Sequence, residues 1–450
     1  MKHLIGKLSW QTPFARLSLW TLGLLGLLLI SGSLVSTVGA TPACQGWPLC
    51  QPQGWLGWLS LAHRVLVGLA GLAVLALFVQ AWRTQRSQTA VLVAATASAV
   101  LLVAQSLMGA LEVAQSFPPH LGVLHVASAI GVFVTSILVA IFAGLAKRSP
   151  GTEAEEARQW QARSMKGMAR DMLQLTKPIV VALLLVTTYA GMVIGAQAWP
   201  SVELTFWVLL GGFMAAGGSG AINQYIDRQD DTRMQRTSKR PIPAGRLTPG
   251  EGLAFGVAMT LGSFYVMAAF VNFLAALLSL AGIFYYVVLY SLLLKKTTVQ
   301  NIVIGGGAGA LPPLVGWAAA TGSLNIPSFF LFAVVFMWTP PHFWALAIVR
   351  RNDYARAGVP MLPVVRGERE TRKQILIYTL ELVGLTLLIP LFGLGGSVYF
   401  VLASILGLWL ISAAWKVWKQ EGNKVAWKMY RYSSMYLAFL FFALMIDALV

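Results

Sequence analysis

Hydrophobic residues fall into thirteen long stretches, each near the length of roughly 20 residues that an α-helix needs to cross a bilayer. The stretches cover 17–38, 60–82, 89–110, 122–146, 178–198, 203–224, 251–270, 272–294, 301–320, 327–349, 374–395, 397–415 and 432–449. This series predicts an all-α fold in a polytopic membrane protein.

One polar segment interrupts the series after the fourth stretch. From residue 147 to residue 176 the chain is charged and helix-forming, as in a helix that lies on a membrane surface. We therefore expect a four-helix region over 1–147, an amphipathic cytoplasmic linker over 148–176 and a nine-helix region over 177–450.

Composition supports a membrane protein, and the charges orient it. Hydrophobic residues make up 57% of the 450 residues and charged residues 11%, which excludes an ordinary soluble enzyme. If the N-terminus is cytoplasmic, loops on that side hold every lysine and arginine except Arg64, as the positive-inside rule requires. The net charge of +17 then faces anionic lipid, and a nucleic-acid partner is not expected. We expect a multi-pass protein of the cell inner (plasma) membrane.

The two cysteines, Cys44 and Cys50, lie in the first outer loop, which faces an oxidising compartment in this topology. A short-range disulfide is expected, with two unpaired thiols as the alternative. Too few other ligands surround them for a zinc site.

Acidic residues cluster where the sixth stretch leaves the membrane. Asn223, Asp227 and Asp231 are spaced four residues apart, so they line one face of a helix. Carboxylates in a partly dehydrated site repel each other, and a divalent cation with oxygen ligands relieves that repulsion. Mg²⁺ fits best, because it needs few protein ligands when phosphate oxygens complete its coordination. The alternative is an exposed acidic helix end.

Basic residues on the same side could bind the phosphate groups, since guanidinium forks bind phosphate oxygens in a bidentate way. The candidate diphosphate ligands are Arg233, Arg236, Lys239, Arg240, Lys295, Lys296 and Arg350. Asp353 follows the tenth stretch on that side, so two polar loops are expected to converge, and we count Asp353 as a further metal ligand. A solvated loop without a ligand is the alternative.

Four separated blocks of the chain resemble, in order, one family of membrane enzymes, the protoheme IX farnesyltransferases or haem O synthases of the UbiA type. The blocks are NQYIDRQDDTRMQRTSKRPIPAGRLTP, NIVIGGGAGALPPLVGWAAATG, WTPPHFWALAI and DYARAGVPMLPVV, and the likeness covers about 166–450. It implies a nine-helix bundle with a central cavity, Mg²⁺ as cofactor, farnesyl diphosphate as donor and haem b as acceptor.

The resemblance also implies roles for individual residues. Asn223, Asp227 and Asp231 match the family's first acidic motif, and Asp353 stands in the second. Ala357 occupies the position where quinone prenyltransferases carry a further aspartate. The candidate catalytic residues are Asn223, Asp227, Asp231, Asp353 and His342.

The implied reaction joins a farnesyl group to a vinyl group of haem b, giving haem O for terminal oxidases. Two alternatives stay open. One is the same scaffold acting on a quinone or chlorin acceptor, and the other is a membrane haem carrier without catalysis.

His342 lies about eight residues inside the tenth stretch, hence roughly 12 Å deep at a helical rise of 1.5 Å per residue. A buried ionisable group in a membrane span is costly and points to function. We expect it to orient or ligate the haem iron or to take up a proton, with a helix-to-helix hydrogen bond as the alternative. Pro340 and Pro341 are expected to break the helix beside it.

Two histidines mark the four-helix region. His63 and His125 lie near the outer starts of the second and fourth stretches, so a bundle would bring both imidazoles to one leaflet. Such a pair can ligate a haem iron axially from two helices. Interfacial histidines without a metal are the alternative, and His120 is a competing ligand.

The blocks GSLVSTVGATPACQGWPLC, LAHRVLVGLAG, QSLMGALEV and HLGVLHVASA resemble one half of the haem A synthases, over about 10–147. That family carries two four-helix halves, each with a histidine pair, whereas this chain has one half. Ser60 also stands where the family commonly has a glutamate. The resemblance implies bound haem, leaves haem A synthase activity open, and suggests association with haem A synthase or with a second copy of the chain.

Overall fold

The structure, a computed structural model, describes residues 10–40, 43, 44, 46, 50–113, 119–146 and 148–450. Within these residues thirteen helices are long and apolar enough to cross a membrane, and no β-strand occurs. The prediction of an all-α protein with thirteen spans is confirmed.

The helices up to the end of the linker are α1 (Pro13–Thr37), α2 (Gly54–Thr84), α3 (Thr89–Val113), α4 (Pro119–Leu145), α5 (Pro150–Gln161) and α6 (Met165–Leu175). The helices that follow are α7 (Pro178–Ala196), α8 (Val202–Ile226), α9 (Arg228–Arg233), α10 (Pro249–Phe270), α11 (Phe273–Phe284), α12 (Asn301–Gly305), α13 (Gly307–Thr321), α14 (Ile326–Val349), α15 (Arg351–Arg356), α16 (Leu362–Val365), α17 (Gly367–Leu388), α18 (Ser397–Lys419) and α19 (Asn423–Leu449). A π-helical segment, Tyr285–Leu294, continues α11, and a 3₁₀ turn, Ile389–Phe392, continues α17.

Several helices extend beyond the apolar stretches that predict them. α2 begins at Gly54 rather than at residue 60, and α19 begins at Asn423 rather than at residue 432. Hydropathy detects only the lipid-facing part of a helix, whereas backbone hydrogen bonding continues into the polar flanks.

The chain divides into two compact units. The first contains the residues up to Leu173 together with Gly245–Gly262, and the second contains Gln174–Ala244 together with Ser263–Val450. In the first unit, α1 packs on α2 and α3 packs on α4. The start of α10 therefore belongs to the same compact unit as the four N-terminal helices.

The linker folds as two helices, α5 and α6, rather than as one continuous surface helix. Ser149 caps α5 by accepting a hydrogen bond from the Thr152 N–H at 3.3 Å, with Pro150 at the first helical position. Ser164 accepts from the Gly167 N–H at 3.2 Å and so begins α6. Serine side chains compete with the helical backbone for these N–H groups, which explains the interruption.

In the second unit, α13, α14, α17, α18 and α19 share one hydrophobic core. Its buried members include Trp317, Leu331, Ile375, Tyr399 and Tyr436.

The tenth span, α14, stays helical from Ile326 to Val349 through Pro340 and Pro341, so the break expected at these prolines is wrong. α14 packs against α13, α17 and α19, and such surrounding helices hold a proline-containing membrane helix in place.

Two helices of the second unit cross at glycines. A Cβ atom added to Gly316 of α13 would overlap the carbonyl oxygen of Thr188 in α7. One added to Gly191 of α7 would overlap the carbonyl group of Pro313. Small residues of this kind let membrane helices approach to backbone contact, so this crossing depends on the absence of side chains.

We predict that Gly316→Ala destabilises the bundle by about 2 kcal/mol, because the added methyl group has no space and the two backbones must separate. The measurement is the thermal unfolding midpoint of the purified protein in detergent. Gly309→Ala in the same helix is the matched control, since its Cβ would meet nothing within 4 Å. Equal midpoints for the two variants would contradict the close crossing.

Candidate functional site

The three residues of the acidic motif at the end of the sixth span are buried. Asn223, Asp227 and Asp231 are each 3% exposed. α8 ends at Ile226, and the Asp227 N–H donates to the Asn223 carbonyl at 2.9 Å. The Asp231 N–H donates to the Asp227 carbonyl at the same distance, so the helical spacing persists across the junction of α8 and α9. The three side chains therefore lie on one face, as their spacing predicts.

Asp227 is held on one side only. Its Oδ2 accepts from the Asn223 Nδ2 at 2.9 Å and pairs with the Lys295 Nζ at 2.5 Å. Its Oδ1 is buried and has no hydrogen-bond partner. A buried carboxylate oxygen without a donor is costly, so this atom is available to a cation.

The neighbouring carboxylates also bind cations of the protein. Arg240 Nη1 lies 2.7 Å from Asp231 Oδ2, and Lys296 Nζ lies 2.5 Å from Asp230 Oδ2. Three of the predicted diphosphate ligands therefore pair with carboxylates in this structure: Arg240, Lys295 and Lys296. Among the described residues, no three histidine, cysteine or acidic side chains form a preformed metal centre.

The π-helical segment Tyr285–Leu294 faces this acidic cluster. Its wider turn is closed by the Ser291 Oγ, which donates to the Tyr286 carbonyl at 2.8 Å. Ser291 also accepts from the Asn223 Nδ2 at 3.0 Å. Because π-helical turns carry about one extra residue, they present side chains that an α-helix would turn away, and they occur often at functional sites.

Lys177, just before α7, completes the cluster, and the sequence reasoning missed it. Its Nζ donates to the Asn223 Oδ1 at 2.7 Å and to the Tyr286 hydroxyl at 3.1 Å. Burial, assisted by the nearby charge of Arg240, lowers the pKa of Lys177 to about 8, although Asp227 and Asp231 oppose the shift.

The backbone at Lys177 is in the left-handed region, with φ 56° and ψ 61°. A residue other than glycine pays strain in that region, which the surrounding contacts must offset. One sequence feature could have identified Lys177. It is a basic residue directly before Pro178, the proline that opens an apolar span.

The second polar loop meets the first at this end of the bundle. Met234, from the loop after the acidic motif, packs with Tyr354 and with apolar residues of the second loop. The cluster consists of Met234, Ile302, Ala347, Ala357, Val359 and Met361, with Tyr354 and Val364 against it. Burial raises the pKa of Tyr354, while Arg236 of the first loop and Arg350 of the second oppose the shift. The two loops therefore converge.

Other residues of the two loops are placed differently. Asp353 pairs with Arg356 of the same helix at 2.5 Å. Ala357, at the position of the missing aspartate, is buried in the apolar cluster. The side chains of Arg233, Arg236, Lys239 and Arg350 are exposed.

His342 lies in an aromatic cluster between α14 and α19. Its Nδ1 is 2.8 Å from the Ser433 Oγ. The ring stacks between Trp338, at 4.1 Å, and Tyr430, at 4.4 Å. The helix-to-helix hydrogen bond considered for this residue is thus present.

In the first unit, His63 and His125 lie close enough to interact electrostatically. His63 Nδ1 is 2.8 Å from the Ser31 Oγ, whereas His125 Nδ1 is buried without a partner. Cβ atoms added to Gly32 and Gly109 would lie 3.0 and 3.2 Å from the two rings, so glycines leave room for both imidazoles. The side chain of the competing ligand, His120, lies outside the described residues.

The loop before α2 is held by Arg64. Its guanidinium donates to the Gly46 carbonyl at 2.5 Å and to the Cys44 carbonyl at 2.6 Å. Cys44 and Cys50 are paired, with their Cα atoms 5.4 Å apart. Arg64 therefore fastens the cysteine-containing loop to α2.

Comparison with known proteins identifies the family. The family model described as the UbiA prenyltransferase family matches residues 184–442. A protein of Roseiflexus castenholzii named protoheme IX farnesyltransferase is 44% identical over 99% of this chain and 86% of its own length. The chain belongs to the UbiA prenyltransferase family. It is a multi-pass membrane enzyme of the prenyltransferase class.

Other comparisons of this UbiA family member concern its two parts. A Gloeobacter violaceus protein named protoheme IX farnesyltransferase is 50% identical over 62% of this chain and 92% of its own length. The family model described as cytochrome oxidase assembly protein matches residues 5–137. The solved structure of a digeranylgeranylglyceryl phosphate synthase covers 63% of this chain and 99% of its own, with 18% identity and a TM-score of 0.55. The last likeness shows a shared fold, and the expected UbiA-type bundle is confirmed.

We predict that Lys177→Gln raises KM for prenyl diphosphate about tenfold, the loss of one charge-assisted contact of roughly 1.4 kcal/mol. The measurement is steady-state prenyl transfer by the purified protein in detergent. Lys166→Gln in α6, an exposed lysine, is the control. An unchanged KM for Lys177→Gln would show that Lys177 only holds Asn223.

Proposed function

We propose that this chain transfers a farnesyl group from farnesyl diphosphate to a vinyl group of haem b, producing haem O. The observation that carries the proposal is the buried Asp227, whose Oδ1 lacks a partner and whose neighbours are Lys177, Lys295 and Asn223. Relatives that match nearly the whole chain carry the name protoheme IX farnesyltransferase, which supports the choice of donor and acceptor.

The donor site would use cations that now bind polar groups of the protein. Lys295 and Arg240 would exchange carboxylate for phosphate oxygens when the diphosphate binds, and Lys177 would exchange the Asn223 amide oxygen and the Tyr286 hydroxyl. Four exposed cations of the two loops, Arg233, Arg236, Lys239 and Arg350, would assist, together with the exposed Lys296 that follows the π-helical segment. Both loops reach the same end of the bundle, so one diphosphate can contact both.

The residues present fit Mg²⁺. Asn223, Asp227 and Asp231 offer hard oxygen ligands, and the unpartnered Asp227 Oδ1 is an open position. Asp353 would join them from the second loop after leaving Arg356. When bound, Mg²⁺ would neutralise charge on the diphosphate oxygens.

The chemistry depends on stabilising the charge of the diphosphate and on excluding water from the farnesyl cation. As the allylic C–O bond breaks, its electron pair goes to the diphosphate, and Lys177, Lys295 and Arg240 stabilise that charge. The surrounding apolar helices exclude water from the farnesyl cation until the vinyl group of haem b attacks it. Water then captures the haem-side cation and loses a proton, which leaves a hydroxyethylfarnesyl group.

His342 would act from within its aromatic cluster. Ser433 occupies its Nδ1, so Nε2 is the nitrogen that could orient the haem iron or take up a proton. The buried Ala357 favours a haem acceptor over a quinone precursor, because the place of the second aspartate is filled by an apolar contact.

For the first unit, we propose a haem held by His63 and His125. The Ser31 hydrogen bond to His63 Nδ1 directs Nε2 of that ring towards a metal, as partners of metal-bound histidines do. This unit would associate with haem A synthase or with a second copy of the chain. The distribution of cations supports a cytoplasmic transferase site in the plasma membrane.

We predict that Asp227→Asn lowers haem O formation at least about a thousandfold, since the Mg²⁺ that would bind the diphosphate loses a carboxylate ligand. The measurement is pigment extraction and mass analysis from cells that express the full chain and contain only haem b. Glu155→Gln, an exposed acid of the linker, is the control. Unchanged haem O in the Asp227 variant would support a haem carrier instead, and a prenylated quinone or chlorin would support the other acceptor class.

We predict that His63→Ala removes the low-spin haem spectrum of the purified full chain while farnesyl transfer continues, because iron loses an axial ligand. The measurement is the visible absorption spectrum after reconstitution with haem b. His120→Ala should leave that spectrum intact. Loss of the spectrum in the His120 variant, and not in the His63 variant, would contradict the prediction and identify His120 as the iron ligand.

A further inference from the structure

Glu251, in the first turn of α10, is a fully buried charge with two cationic partners. Its Oε1 lies 2.7 Å from the Arg86 Nε and 2.5 Å from the Arg163 Nη1. Arg86 follows α2, and Arg163 lies between α5 and α6. Burying the Glu251 carboxylate is costly unless it is paired, so this site joins three segments of the first unit specifically.

The residues just before Glu251 are held by the same partners. Arg163 Nη2 donates to the Arg246 carbonyl at 2.7 Å, and the Arg246 Nε donates to the Asp171 Oδ1 at 2.8 Å. Thr248 Oγ1 donates to the Arg86 carbonyl at 3.0 Å. We call this set of contacts the clamp; its members are Arg86, Arg163, Asp171, Arg246, Thr248 and Glu251.

A covalent tether between two domains would need none of these contacts. The clamp instead holds residues 246–248 in two ways, because the Arg163 guanidinium donates to the Arg246 carbonyl and the Thr248 hydroxyl donates to the Arg86 carbonyl. Trp160 of α5 covers it, with the Arg86 and Arg163 guanidinium carbons each 5.9 Å from its ring. Side chains of the linker thus determine where the polypeptide enters α10.

The chain that leads into the clamp is the loop that carries the diphosphate candidates. Arg240, which pairs with Asp231, precedes Arg246 by only six positions. Consecutive turns stiffen this stretch: the Arg240 N–H donates to the Thr237 carbonyl and the Ala244 N–H to the Arg240 carbonyl, both at 3.0 Å. The segment between Arg240 and the clamp is therefore short and internally hydrogen-bonded.

We propose that the clamp positions the 234–245 loop for prenyl diphosphate, so that the N-terminal region and linker support donor binding in the transferase. Arg163 and Glu251 are positioning residues in this scheme, because they act through the backbone of the loop. The inference rests on the proposed function only for the identity of the donor, farnesyl diphosphate.

The test replaces Arg163 by Met in the full-length protein, which leaves Arg86 to neutralise Glu251. The dissociation constant for farnesyl diphosphate with Mg²⁺ is measured by calorimetry without acceptor, and steady-state transfer is measured beside it. We expect the dissociation constant and KM for farnesyl diphosphate to rise about fivefold, with kcat and KM for haem b within about twofold. Arg163→Lys should recover part of the affinity, since it keeps the charge.

Arg158→Met is the matched control, because Arg158 belongs to the same linker and forms an exposed pair with Glu155 at 3.4 Å. Unchanged donor affinity in both Arg163→Met and Glu251→Gln would overturn the proposal and leave the clamp as a tether. A parallel loss of kcat, both KM values and thermal stability would also overturn it, in favour of a purely structural role. Absence of farnesyl transfer in the unaltered protein would refute the proposed acceptor, while the calorimetric comparison would still decide the role of the clamp.

Discussion

The carboxylate of Asp227 lies buried at the end of an apolar bundle, and the cost of that burial accounts for the side chains around it. An isolated charge there would be strongly destabilising, so Lys295 and Asn223 bind one of its oxygens. Lys177 and Ser291 in turn bind the Asn223 amide. The other Asp227 oxygen remains without a hydrogen-bond partner.

Helix geometry decides which side chains can reach this carboxylate. The change from α- to π-helical winding within the eighth span places Tyr286 and Ser291 towards Lys177 and Asn223. At the other end of the apolar wall, Gly316 lets α13 approach the backbone of α7. Close packing thus joins α7 and α13, and the wider winding of the eighth span supplies polar groups to the acidic cluster.

The N-terminal part of the chain is bonded to the start of α10. The Gloeobacter violaceus relative matches only 62% of this chain with 92% of its own length, so it lacks a counterpart to much of the remaining chain. In the present chain, Arg86 and Arg163 bind Glu251 at the start of α10. The N-terminal region and the linker are therefore joined through Glu251 to the segment that follows the 234–245 loop.

The thirteen spans and the acidic face of α8 could be read from the sequence alone, because they depend on local periodicity and on the solvent that each segment meets. The sequence did not reveal Lys177, the partner of each carboxylate, the break in the linker or the continuity of α14 through its prolines. Lys295 reaches Asp227 across 68 positions of the chain, and Lys177 reaches Asn223 across 46. Such pairings are decided only by tertiary structure, since hydropathy and spacing carry no information about which distant segments pack together.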